Sequence, residues 1–327
     1  MAIQNLSDLN KLRKEKYYKN PEEEGFLLHL NKYLQQKEIS EYKENPEKHI
    51  WLFVFGLPRS GTTVLAQVLA HSFDVGFINN FMARFWLAPV MGIKLSQVIY
   101  NQQKSSSFES EYAGTSNIQD IHEFGYFWRY WLKKDKVADY LDIKKTEKSI
   151  QWDNLRKTLL NIQATFDKSI CMKNIFGAFH IEKFISILEK VIFIYIERDP
   201  LDNAISILEA RKKFYADINT WWSIIPPEFE RLKNLSYMDQ IAGQIYYLRK
   251  LYENQINKLG ENHIIRIKYK DLCDEPEMVL QRIKQKASEN WNYTLNLVNV
   301  PSKFRYKTHN ETGLKKEFEE KIKRFQE

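Results

Sequence analysis

A glycine-containing turn between an apolar run and a helix-like stretch has side chains that could bind an anion. It consists of Gly56-Leu57-Pro58-Arg59-Ser60-Gly61-Thr62-Thr63. The start of a helix offers unpaired N–H groups and the positive end of the helix dipole. Gly61 would allow close backbone approach, Arg59 adds a positive charge, and hydroxyl donors come from Ser60, Thr62 and Thr63. We interpret this turn as an anion-binding loop; the alternative is a plain strand-to-helix turn.

The loop resembles a Walker phosphate loop in spacing but lacks its lysine. Gly56 and Gly61 are separated by four residues, as in G-x-x-x-x-G-K-[ST], and Thr62 stands where the lysine belongs. That lysine reaches the β- and γ-phosphates of ATP. A kinase or NTPase is therefore the weaker interpretation and is kept as an alternative.

A second anion site is predicted after the apolar run 191–196. Asp199 suits a helix N-cap and Pro200 the first helical position, so Arg198 would lie at the carboxyl end of a strand. Ligands of open α/β sheets bind at that edge. Ser206 lies off the apolar stripe of the following helix and could join Arg198 on a ligand. The alternatives are a capping Asp beside a surface Arg, or Glu197 as a Walker B acid.

The elements that would position these residues alternate along the chain. Short apolar runs predict buried strands at 50–55, 169–172, 191–196 and 263–267. Apolar residues at helical spacing predict helices at 62–71, 201–214 and 311–326, and a helical N-terminal section over 1–48. The polar stretch 104–117 predicts a surface loop. The alternation predicts an α/β fold with a parallel sheet.

Composition excludes several classes of protein. The 327 residues carry 43% hydrophobic side chains, enough for a sizeable core, and no apolar run approaches the ~20 residues of a membrane span. The net charge of +7 with 42 acids disfavours a nucleic-acid-binding protein. Two cysteines, Cys171 and Cys273, allow no disulfide framework and no four-cysteine zinc site. With no signal-peptide core, we expect a soluble cytoplasmic protein that binds neither membrane nor metal; the oligomeric state is not indicated.

At these positions the chain resembles the PAPS-dependent sulfotransferases, where PAPS is 3′-phosphoadenosine-5′-phosphosulfate. The segment Pro58-Arg59-Ser60-Gly61-Thr62-Thr63 resembles their 5′-phosphosulfate loop, and Arg198 with Ser206 resembles their 3′-phosphate site. Lys173 matches the lysine on their preceding strand. The run Lys268-Tyr269-Lys270-Asp271-Leu272 with Glu275-Pro276 resembles their Y-E-D-L…P element, with Lys270 where Glu is usual.

The resemblance implies a fold, a domain organisation and a reaction. The fold is a P-loop-like three-layer α/β/α sandwich with a central, mainly parallel sheet. It forms a single domain over 1–327, with a helical extension at 1–48, a core at 50–276 and a terminal helix at 311–326. The reaction is transfer of a sulfuryl group from PAPS to a hydroxyl or amine of a small molecule, leaving PAP, without metal. Lys173, Thr62 and the loop N–H groups would stabilise charge on the leaving oxygen.

The general base is predicted by elimination. The position two residues beyond Lys173 holds Ile175, and the stretch 77–80 contains no acid, so both familiar base positions are empty. The candidates are His122 and Glu123, with His180 a distant third; the alternative is that His122 and Glu123 cap a helix.

The acceptor side is predicted from aromatic residues at 120–131 and 220–227. Such stripes are usually core. If they line a pocket, they suit a flat or cationic small molecule, such as a natural-product alkaloid or a guanidinium-bearing toxin. A non-enzymatic anion-binding protein is the remaining alternative.

Overall fold

The computed structural model describes residues 5–100 and 117–326, and a five-stranded parallel sheet lies at its centre. The strand order is β2-β3-β1-β4-β5. The strands are β1 (Trp51–Gly56), β2 (Val75–Phe77), β3 (Ser169–Lys173), β4 (Val191–Glu197) and β5 (Ile264–Lys268). The four predicted strands are confirmed. Strand β2 was missed, because three residues are too few to show a strand pattern.

Helices cover both faces of the sheet. The α-helices of the described residues are α1 (Pro21–Glu41), α2 (Thr62–Ser72), α3 (Pro89–Tyr100), α4 (Gly125–Trp131), α5 (Ala138–Leu141), α6 (Ile143–Ser149), α7 (Trp152–Phe166), α8 (Ile181–Ile187), α9 (Pro200–Phe214), α10 (Phe229–Leu232), α11 (Tyr237–Ile256), α12 (Tyr269–Asp274), α13 (Pro276–Trp291) and α14 (Thr312–Arg324). Short 3₁₀ helices span Leu6–Leu12, Glu15–Tyr17, Met82–Phe85, Gly177–Phe179 and Glu261–His263.

The alternation of side chains along β1 divides the core into two layers. Trp51, Phe53 and Phe55 point into one buried cluster, with apolar residues of α4, α7, α8, α9, α11 and α14. Leu52 and Val54 point into the other, with residues of α2, α12 and α13. Because both faces of the sheet are covered, the architecture is an α/β/α sandwich, as the resemblance implies, around the parallel sheet that the sequence pattern predicts.

The predicted helices at 62–71, 201–214 and 311–326 correspond to α2, α9 and α14. The N-terminal section is helical in part: Leu6–Leu12 and Glu15–Tyr17 form short 3₁₀ helices, and α1 is a long helix. The loop predicted at 104–117 lies outside the described residues except for Asn117. In the described ranges, no helix combines the length and apolarity needed to cross a membrane.

Helix α1 buries polar side chains rather than its apolar ones. Its aromatic residues Phe26 and Tyr33 are 66% and 82% exposed. Glu38 is buried instead, and its two oxygens accept the N–H groups of Val90 (3.1 Å) and Met91 (2.8 Å). These N–H groups begin α3 and have no partner within that helix, so a carboxylate there is favourable. Polar capping therefore decides which face of α1 is buried.

Candidate active site

The anion-binding loop connects β1 to α2 and has two residues in the left-handed region. Arg59 has φ 69° and Gly61, the N-cap of α2, has φ 101°. A Cβ atom on Gly61 would lie 2.5 Å from the Tyr269 ring. Glycine is therefore required at 61 both by backbone conformation and by the ring packed against it.

Gly61→Ala is expected to destabilise the protein by about 1–3 kcal/mol, because it adds backbone strain and displaces the Tyr269 ring. Urea unfolding measures this change. Gly25→Ala is the matched control, since a Cβ there meets nothing within 4 Å and alanine favours the α1 helix. Equal stability of the two variants would contradict the strain argument.

Residues of the β4–α9 connection hold this loop. The Arg198 guanidinium donates to the Arg59 carbonyl at 3.0 Å, and the Nε of Arg59 donates to Ser206 Oγ at 3.0 Å. The Arg198 guanidinium also lies 5.3 Å from the centre of the Tyr269 ring. The structure thus brings both predicted second-site residues to the loop, and Arg59 is the residue bonded to Ser206.

A cleft of about 280 Å³ opens beside the loop at the carboxyl ends of β4 and β5. Its four basic residues, Arg198, Arg249, Lys268 and Lys270, outnumber its two acidic residues, Glu197 and Asp199. Its aromatic residues include Tyr269 and Tyr306. Two polar atoms near it, Arg198 Nε and Ser60 Oγ, are buried without a hydrogen-bond partner among the described residues. Such groups are costly unless something bonds them, so the cleft suits an anionic ligand with a planar group.

Lys173 ends β3 on the other side of the loop. Its ammonium lies 3.2 Å from Thr63 Oγ1 and 3.3 Å from Glu123 Oε2, and its side chain is 7% exposed. A buried ammonium therefore joins the loop to a carboxylate that is half-buried and open to solvent. A positive charge and a proton acceptor lie together at the helix-side end of the loop.

His122 is held by the backbone around it. Its N–H donates to the Ile78 carbonyl (2.8 Å), just after β2, and its Nδ1 accepts the N–H of Phe124 (2.8 Å). Burial lowers the pKa of His122 to about 4, and Glu123 opposes this. The ring is therefore neutral near pH 7, with its proton on Nε2.

Neither His122 nor Glu123 caps α4 by a side-chain hydrogen bond, which contradicts the alternative that these two residues serve as helix caps.

The low pKa of His122 predicts an acid-sensitive contribution to stability. Between pH 6.5 and about 4 the unfolded chain binds a proton that the folded chain does not, so stability falls as pH falls. By pH 4.5 this loss amounts to about 2–3 kcal/mol. His122→Asn should lose that part of the pH dependence in urea unfolding at pH 7 and 4.5. His29→Asn, on the exposed face of α1, should keep it, and identical profiles would refute the assignment.

The sequence profile described as the sulfotransferase family matches residues 52–293 of this chain. The chain belongs to the sulfotransferase family.

Solved structures similar to this sulfotransferase are bacterial sulfotransferases. Sulfotransferase STF9 from Mycobacterium avium is 16% identical, with 79% of this chain and 67% of that chain covered and a TM-score of 0.50. STF1 from Mycobacterium tuberculosis is 11% identical, with 83% and 77% covered and a TM-score of 0.48. The first likeness supports the fold alone. A comparison with curated proteins finds none that matches the chain.

Some residues of this sulfotransferase that the sequence suggested for the active site lie in the core instead. His180 is buried against Trp152 and pairs with Glu147 at 2.9 Å, so it serves the core. The aromatic stretches are also mostly core, as stripes usually are: Phe124, Phe127, Trp128, Trp131 and Trp221 are all buried.

Other site residues of this sulfotransferase were missed from the sequence. Arg249 comes from the middle of α11 and Tyr306 from an irregular segment, and no motif marks either. The chain folds back so that the Lys307 carbonyl accepts from Arg198 at 2.6 Å. In the described ranges, no cluster of three or more His, Cys, Asp or Glu side chains is arranged to hold a metal ion.

Proposed function

We propose that this sulfotransferase transfers a sulfuryl group from PAPS to a hydroxyl or amine of a small molecule and releases PAP. The observation that carries the proposal is the arrangement around one loop. A basic, aromatic cleft lies on one side, and a buried lysine with a carboxylate lies on the other. This arrangement fits a donor that carries phosphates at two positions. The nucleotide would lie in the cleft, and the reacting sulfate would face the lysine and the carboxylate.

The donor would be held by two sets of residues. We assign the 5′-phosphosulfate to the loop residues Pro58, Arg59, Ser60, Gly61, Thr62 and Thr63, and the 3′-phosphate to Arg198 and Ser206. The buried, unbonded atoms Arg198 Nε and Ser60 Oγ fit this assignment, because an anion would supply their missing partners. Tyr269 and Tyr306 offer ring faces for a nucleoside base. The donor supplies the sulfuryl group; the chain binds and orients it.

Lys173 is assigned to the leaving group. When the S–O bond breaks, negative charge develops on the 5′-phosphate oxygen, and a fixed ammonium stabilises it. The contact with Thr63 places the Lys173 ammonium at the loop that would hold this phosphate. Low exposure strengthens the interaction, since little water screens it.

Glu123 is the better of the two candidate bases. The Nδ1 lone pair of His122 is occupied by the Phe124 N–H, and its other nitrogen carries the proton, so the neutral ring has no free acceptor. The carboxylate of Glu123 is accessible and next to Lys173. It would accept the proton of the acceptor hydroxyl as the oxygen attacks sulfur. His122 then serves to position Glu123 through the backbone.

Donor recognition is tested by thermal unfolding with PAP and with ATP. PAP at ~100 times its dissociation constant should raise the free energy of unfolding by about 2.7 kcal/mol, and ATP, which lacks a 3′-phosphate, should raise it much less.

Arg198→Ala should weaken the stabilisation by PAP and raise the KM for PAPS more than it lowers kcat. Arg231 is an exposed arginine of α10, and Arg231→Ala should change neither the stabilisation by PAP nor the KM for PAPS. Equal shifts with PAP and ATP would overturn the donor assignment and favour a nucleotide-dependent kinase.

A further inference from the structure

Four basic side chains from separate parts of the chain lie near His122 and the neighbouring Tyr126. We call Arg13, Lys19, Arg84 and Arg129 the basic cluster. Lys19 Nζ donates to the Tyr126 hydroxyl at 2.5 Å and lies 4.4 Å from the ring centre; the Arg129 guanidinium is 5.9 Å from that centre. The charge of Arg13 acts on Tyr126, and those of Lys19 and Arg84 act on His122.

The basic cluster adjoins the reaction centre, and two of its four members are exposed to solvent. His122 is the neighbour of Glu123, which lies 3.3 Å from the Lys173 ammonium. Lys19 is 42% exposed and Arg84 is exposed as well. A molecule whose hydroxyl reaches Glu123 would therefore have its other end close to these cations.

The positive charge of the basic cluster is only partly compensated. Glu24 lies 3.5 Å from Lys19 and also bonds to Tyr126, and Asp135 lies 2.8 Å from Arg129. Asp135 is 61% exposed, so water screens it. Partial burial lowers the pKa of Lys19 from its ordinary value, and Arg13 and Arg129 lower it further while Glu24 opposes them.

Two donor atoms of the basic cluster lack partners. The Nε atoms of Arg13 and Arg129 are buried and make no hydrogen bond with any described residue. Four cations against two carboxylates, with donors left unbonded, form a site that an anion would stabilise.

We propose that the basic cluster binds an anionic group of the acceptor, a carboxylate, phosphate or sulfate remote from the hydroxyl that is sulfated. This rests on the proposed function, because it takes Lys173 and Glu123 as the reaction centre. The partly exposed Tyr126 ring offers apolar surface beside the cations, and it packs against the buried Trp86 ring with 4.9 Å between the ring centres. The charge selects against the cationic acceptor that the aromatic stretches suggest in the sequence.

Three probes with one phenol ring and different charges test this inference: 4-hydroxyphenylacetate, 4-hydroxyphenylacetamide and tyramine. Calorimetry gives their Kd values with and without saturating PAP, so the charge preference is measured even if PAP does not bind. The carboxylate should bind roughly tenfold tighter than the amide, as expected for one charge-assisted hydrogen bond, and tyramine should bind weakest. Mass spectrometry of sulfated products with PAPS tests the proposed function separately.

Two lysine variants test whether the preference for the carboxylate over the amide arises at the basic cluster. Lys19→Gln should reduce the difference between carboxylate and amide to about twofold, since it removes the accessible cation. Lys11→Gln, on the same N-terminal segment but 79% exposed and beside Asp8, should leave the difference unchanged. Amide or tyramine binding as tight as that of the carboxylate, no binding of any probe, or equal effects of the two variants would overturn the inference.

Discussion

Lys173→Met is expected to lower kcat for sulfuryl transfer by about 10²–10³, the usual effect of removing one donor that stabilises transition-state charge. The ammonium lies 3.2 Å from Thr63 Oγ1, so its loss affects the leaving oxygen more than the bound donor. The KM for PAPS should therefore change little, whereas PAP, whose 5′-phosphate carries that oxygen with its full charge, should bind more weakly. Single-turnover kinetics over a range of PAPS concentrations separates the effect on donor binding from the effect on kcat.

The matched control for Lys173 is Lys168→Met. Lys168 is also paired with a carboxylate, Asp74 at 2.7 Å, but it is half-exposed and remote from the loop. It should retain kcat. A Lys173 variant that raises the KM for PAPS and keeps kcat would assign the ammonium to donor binding instead of chemistry.

Glu123→Gln is expected to lower kcat by about 10²–10⁴, because the amide fills the same space but cannot take the proton of the acceptor. His122→Asn should have a much smaller effect, since an asparagine side chain can still accept the N–H two residues later. Initial rates on the true acceptor, with PAP binding confirmed for each variant, provide the comparison.

Glu147→Gln is a suitable control for Glu123, because its carboxylate contacts His180 in the core and not the loop. If Glu123→Gln retains the wild-type kcat, either the base lies elsewhere or the acceptor is a neutral amine that needs none. If His122→Asn loses as much rate as Glu123→Gln, the imidazole takes part directly.

The parts of the site that could be predicted are those encoded by neighbouring residues. Strand β1, the turn ending at Gly61 and the start of α2 are contiguous, so the apolar run and the glycine pattern suffice to predict the loop. The cap of α9 by Asp199 follows in the same way from local residue types, and its carboxylate does accept the Leu201 N–H at 2.7 Å.

The parts that could not be predicted depend on contacts between distant segments. Glu123 reaches Lys173 because its segment is bonded to the chain beyond β2, through the Ile121–Asn79 bridge. No spacing in the sequence indicates this pairing. In α9 the helical period puts Ser206 off the apolar stripe, but it cannot show that Arg59 would be its partner. Helical period likewise predicted α1 without revealing that Glu38 is on its buried face.

The bonds from Arg59 to Ser206 and from Arg198 to Arg59 also bear on how firmly a donor can be held. They fix the loop to β4 and α9 through hydrogen bonds of the chain itself, with Arg59 at a positive φ. The conformational entropy of ordering the loop is therefore lost when the chain folds, and little remains to be lost on association. A preorganised loop of this kind gives higher affinity for the same set of contacts, at a modest expense in the stability of the free protein.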